Sequence, residues 1–152
     1  MTTNPTVTKA HFIKRLADLC LKSGLADFPK DRVDEHILLK SAVLMIGPAD
    51  QLTEKEINAR LEAWIDETCQ IQYIDHVTLR RRLVDTGYLI RSKDGSYYQV
   101  VRSGTGTVLF DPDVEEIDPV EVILNAREEI ARRKREYMER TTKNKPTNAG
   151  EG

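Results

Sequence analysis

Apolar residues recur at three- and four-residue intervals through four successive stretches of the chain, then switch to every second position, then return to a helical period near the end. Each stretch is bounded by capping or breaking residues. Residues 1–7 lack a pattern and read as disordered. Thr8 is placed to cap a first helix whose apolar positions are Phe12, Ile13, Leu16, Leu19, Cys20 and Leu21, closed by Gly24. Pro29 precedes a second pattern, Val33, Ile37, Leu38, Val43, Leu44 and Ile46, which Gly47-Pro48 ends. This second helix is apolar on most sides, so it is expected to be the most buried.

Thr53-Glu54-Lys55-Glu56 has the S/T-x-x-E form of a capping box, and the helix it opens turns Ile57, Leu61, Trp64 and Ile65 inward. Asp75 caps a fourth helix, His76 to Thr86, with Gly87 just past its end. Here the period changes from 3.6 to 2. Tyr88 to Arg91 and Tyr97 to Val101 read as short strands, joined by the turn Lys93-Asp94-Gly95. Residues 103–118, rich in acids with Gly104, Gly106 and Pro112, read as an exposed connection. Pro119 opens a last helix, about Val120 to Met138, with Ile123, Ile130 and Tyr137 at seven-residue spacing. From Thr141 the tail is polar and is expected to fray.

The expected fold class is therefore mainly α with a small β-hairpin (α+β), a winged helix-turn-helix with extra N-terminal and C-terminal helices. Its organisation is an N-terminal helix packing on the core (1–27), a winged-helix domain (28–102), an acidic connection (103–118), a C-terminal helix offering a dimer contact (119–140) and a tail (141–152).

The angular positions on the fourth helix separate its three adjacent arginines. At about 100° per residue, with Leu79 at zero, the apolar face of Leu79, Leu83, Val84 and Val77 centres near 85°, and Arg80 falls within it. A guanidinium turned inward needs a carboxylate, and an acid of the third helix, Glu56, is the expected partner. Arg81, Arg82 and Thr78 lie on or beside the opposite face, where they would meet phosphates or guanine acceptor atoms. Asp85 shares that face and opposes phosphate. Arg91 and Lys93 on the hairpin, and Arg102 after it, extend the cationic surface toward a neighbouring backbone.

Phe28-Pro29-Lys30, the run Leu52 to Leu61, Asp75, Leu79-Arg80-Arg81, Leu83-Val84-Asp85-Thr86-Gly87, Leu89-Ile90-Arg91 and Asp94-Gly95-Ser96-Tyr97-Tyr98 follow one another in order. Over residues 28–99 this series resembles an uncharacterised winged-helix family, a domain often found C-terminal to ArsR-type helix-turn-helix regulators. The chain looks like a member without the preceding regulator domain. The resemblance implies a winged-helix fold and a transcription-related setting, and implies nothing for the first helix, the acidic connection or the last helix.

Charge alters this picture only after the chain is divided. The 152 residues carry 23 basic and 25 acidic side chains, a net charge of −2, which by itself argues against a nucleic-acid binder. Residues 1–73 hold 9 basic and 11 acidic residues, 74–102 hold 6 and 3, and 103–152 hold 8 and 11. The helix-and-hairpin segment alone is cationic, at +3.

Two functions fit these features. The first is a DNA-binding transcriptional regulator, a homodimer with its fourth helix in the major groove of double-stranded DNA and its wing on the backbone. The alternative is a protein-protein interaction module on the same scaffold. An enzyme is not expected: His11, His36 and His76 lack a metal-binding spacing, no nucleophile elbow occurs, and Gly104-Thr105-Gly106 lacks a P-loop lysine. No cofactor or metal is implied. Cys20 and Cys69 have no CxxC spacing and read as small core residues. With no apolar run of about 18 residues and no signal-peptide pattern, a cytoplasmic location is expected.

Overall fold

The computed structural model describes residues 5–48, 51–101 and 107–144. A short strand β1 (Thr6–Val7) leads into α1 (Lys9–Leu21), which Thr8 caps by accepting the His11 N–H at 3.1 Å. Phe12, Leu16 and Leu19 form its buried stripe. Helix α2 (Arg32–Ile46) starts at Asp31, whose carboxylate accepts from the Asp34 N–H, and stops at Gly47, whose φ of +79° a side chain would resist.

As expected, α2 is the central element, and an unbroken buried run from His36 to Val43 includes three polar side chains. Each has a partner, as burial demands. His36 Nδ1 lies 2.7 Å from the Tyr88 hydroxyl, and burial holds its pKa below the ordinary histidine value. Lys40 Nζ is 2.5 Å from Glu115, and the Ser41 hydroxyl donates to the Leu38 carbonyl at 2.6 Å.

Strand β2 (Leu52–Thr53) runs directly into α3 (Glu54–Glu67), capped by Thr53, and α4 (His76–Asp85) follows, capped by Asp75. The hairpin is β3 (Leu89–Arg91) and β4 (Tyr97–Val100). These strands form one antiparallel sheet in the order β2-β4-β3, with Leu52 opposite Tyr98 and Leu89 opposite Val100. The sheet thus has one strand more than the two the alternation predicts. Two residues are too few to display a period of two, so β2 is visible only through its pairing. Among the described residues, five α-helices with a small antiparallel sheet make the fold α+β, as the sequence predicts.

The acidic connection also differs from expectation. Strand β5 (Leu109–Phe110) pairs in parallel with β1, and a 3-10 turn (Pro112–Glu116) follows it. Val108, Val114 and Ile117 are buried, and Glu115 supplies the counter-charge for Lys40. Residues 5–7, expected to be disordered, are likewise held by this long-range pairing. No local pattern announces two short strands separated by a hundred residues.

The last helix, α5 (Pro119–Asn144), extends past the predicted end at Met138. Its start is fixed by Asp118, which accepts the Val120 N–H at 3.0 Å. Val122 and Ile123 are buried, whereas every residue from Ala131 to Thr142 is exposed. Ile123, expected at a dimer contact, instead belongs to the chain's own core. No helix among the described residues is long and apolar enough to cross a membrane.

Candidate functional site

Helix α4 carries the three arginines into three different settings. Arg80 turns inward, with its side chain 14% exposed and its guanidinium 5.7 Å from the centre of the Tyr98 ring. Its Nη1 donates to Asn58 Oδ1 at 2.5 Å, and Nη2 lies 3.3 Å from Glu54 Oε1. The acid is therefore Glu54 and not Glu56. On a helix, Glu54 and Asn58 stand about 40° apart, whereas Glu56 is displaced from Glu54 by about 160°, so the stripe facing α4 excludes it.

Arg82 departs further from expectation. Its Nε and Nη2 donate to Glu35 Oε1 of α2 at 3.1 and 2.6 Å, and its guanidinium lies 5.9 Å from the Phe28 ring centre. Although read as facing DNA, it is tied to the fold. Its angular position lies about 60° beyond Leu79, the outermost apolar residue on that side, and Glu35 of α2 reaches it there. The residues that hold it, Glu35 and Phe28, carry no signal in the α4 sequence itself.

Arg81 remains. It is exposed on the same face as Thr78 and Asp85, and the described residues offer it no ion pair. Thr78 is exposed, with its N–H bound to the Asp75 cap at 2.8 Å. On the hairpin, Arg91 and Lys93 are exposed. Arg102 lies outside the described residues.

The hairpin turn is a small hydrogen-bonded unit. Asp94 accepts from the Ser92 hydroxyl at 2.7 Å and the Ser96 N–H at 3.0 Å, while the Ser92 hydroxyl accepts the Tyr97 N–H at 3.1 Å. The backbone bond from Ser96, then the bond from Ser92, hold the Asp94 carboxyl down at about 2. The hairpin tip thus presents a fixed carboxylate beside Lys93. Gly95 has φ +76°, and a Cβ there would come within 2.5 Å of Arg91 Nη2. Gly95→Ala is expected to lower stability by about 1–2 kcal/mol, measured as a shift of the urea midpoint at unchanged slope, and to displace Arg91.

Other chemistry-bearing side chains are dispersed. His36 is buried against Tyr88, His76 lies 3.3 Å from Glu62, and His11 is exposed on α1. Among the described residues no group of three His, Cys, Asp or Glu side chains could hold a metal ion. Both cysteines are free, and hydrogen bonding with the Cys69 thiol, followed by burial, pushes the Cys20 thiol far up and keeps it protonated. A groove of about 660 Å³ runs between α1 and α5 over Ile13, Ala17, Leu21 and Val122, and none of the arginines of α4 lines it.

A family profile described as an uncharacterised protein conserved in bacteria (DUF2087) matches residues 24–100. The chain belongs to this family. The DUF2087 match starts just past α1 and runs through α2, β2, α3, α4 and β3 to the last residue of β4, so it contains Arg80, Arg81, Arg82, Arg91, Lys93 and Glu35. All of α1, strands β1 and β5, and α5 lie outside it. No curated protein and no solved structure matches the chain.

Proposed function

We propose that this chain is a DNA-binding transcriptional regulator whose winged-helix module sets α4 in the major groove and the β3-β4 wing on the neighbouring backbone. The observation that carries the reading is Arg81: exposed and free of counter-ions among the described residues, between two arginines that are committed to the fold. Supporting it are the chain order α2-β2-α3-α4-β3-β4, which puts the hairpin directly after α4, and the exposure of Thr78, Arg81 and Asp85 along one side of α4. The working unit is a homodimer in the cytoplasm, and the reading assigns the chain no catalytic step and no cofactor.

The cationic surface is smaller than the sequence suggests. Arg81, Arg91 and Lys93 are its exposed described members, and Asp85 and Asp94 oppose them. About three phosphate contacts per protomer, hence about six for the homodimer, correspond to a salt slope of log K of about −5. Fluorescence anisotropy of mixed-sequence duplex DNA at low ionic strength tests this. Binding with that slope is expected, and Arg81→Ala is expected to reduce its magnitude by about 1 per protomer. Absence of binding at low salt, or full affinity retained by Arg81→Glu, overturns the reading.

A protein-interaction module is the second reading, favoured by the outer face of the wing. Ile90 and Tyr97 are 54% and 45% exposed there, flanking Gln99. A partner docking on that face would be lost with Ile90→Glu and kept with Arg81→Glu, the reverse of the order expected for DNA.

A further inference from the structure

We infer that the outward face of α5 is a self-association surface that pairs with α5 of a second copy in antiparallel orientation. The inference supplies the dimer on which the reading above rests. It starts from two opposite faces of one helix. On one, Glu129, Arg132, Arg133 and Glu136 satisfy each other, with Arg132 bridging Glu129 and Glu136 at 2.5 Å each and Arg133 reaching Glu129 at 2.9 Å. This lattice is a solvated face complete in itself.

The other face is unfinished. Leu124, Ala131 and Met138 repeat at seven residues, flanked by Tyr137 and by Ile130, which also lines the groove against α1. Leu124, Tyr137 and Met138 are 59%, 63% and 60% exposed. From Ala131 onward α5 projects without support from its own domain, and a free helix of this length is marginal in water. The same face carries Arg127, Glu128, Lys134 and Arg135, none of which has an ion pair among the described residues.

Charge selects both occupant and direction. In a parallel pair Arg127 would face Arg127, and Lys134 would face Lys134, at the centre of the seam. In an antiparallel pair like flanks meet, so Glu128 of each copy faces Arg135 of the other, and Ile130 meets Tyr137 on the far side. Lys134 then lies beside the small side chain of Ala131, over which its methylene stem can pack. The two Glu128–Arg135 pairs are related by a twofold axis, so a single helix face is complementary to itself.

Sedimentation velocity of the full chain without DNA tests this, with helical circular dichroism confirming that each variant is folded. The chain is expected to dimerise. Glu128→Arg and Arg135→Glu are each expected to weaken the dimer about tenfold or more, since each turns two attractive pairs into two repulsive ones. The double variant Glu128→Arg/Arg135→Glu is expected to restore it, because the swapped charges again meet across the axis. A monomer at all concentrations, a dimer indifferent to either reversal, or a double variant no better than the singles overturns the inference. Because DNA is absent, failure here leaves the α4 surface to its own test, and failure of DNA binding leaves this dimer intact.

Discussion

Trp64→Ala is expected to remove about 3–5 kcal/mol of stability, a large share of the 5–15 kcal/mol typical of a domain. Trp64 is fully buried in α3, and its indole Nε1 donates to the Ser41 hydroxyl of α2 at 2.8 Å. Ser41 in turn donates to Leu38, so one chain of hydrogen bonds crosses the α2–α3 contact at its most buried point. Alanine would leave a cavity of indole size between the central helix and the helix that positions α4. Trp64→Phe refills much of that volume and loses the indole donor, so a smaller loss of about 1–2 kcal/mol is expected. Urea unfolding followed by far-UV circular dichroism is the appropriate measurement, because Trp64 is the single tryptophan and the variants lack the usual fluorescence signal. A loss below about 2 kcal/mol for Trp64→Ala would mean that the contact relaxes around the cavity, and α2–α3 packing would then not be what holds α4 in place.

The extent to which this site can be read from sequence follows from the range of each interaction. Thr8, Thr53 and Asp75 cap helices through a backbone N–H three residues on, so their roles are legible in a few letters. The inward direction of Arg80 follows from the angular positions on α4 alone. Its partner does not, yet the same arithmetic applied to α3 brings Glu54 and Asn58 onto one stripe. Arg82 is different in kind. Beside the polar face of α4, its fate depends on which helix lies alongside, and only the tertiary fold brings Glu35 there. Lys40 shows the same limit: a lysine within an apolar run has its acid 75 residues away, in a segment whose composition reads as a solvated linker.

Arg82→Ala is expected to cost about 2–3 kcal/mol, and Arg81→Ala less than about 0.5 kcal/mol, although the two residues are adjacent. The difference lies in what each removal leaves behind. The Glu35 side chain is 12% exposed, and both of its bonds from Arg82 arrive at one oxygen. Without the guanidinium a mostly buried carboxylate loses its counter-charge, which is the expensive half of breaking such a pair. Arg82 itself is 42% exposed, so water entering the vacated space holds the cost below the 3–5 kcal/mol of a fully buried pair. Adding Glu35→Gln removes the stranded charge, and Arg82→Ala/Glu35→Gln is expected to recover about half of the loss. Duplex affinity should show the opposite ranking: Arg81→Ala weakens it at unchanged stability, whereas Arg82→Ala alters it only under conditions where the fold also weakens. If Arg82→Ala instead reduced DNA binding at full stability, the ion pair with Glu35 would be exchangeable for phosphate, and α4 would present two arginines to the duplex.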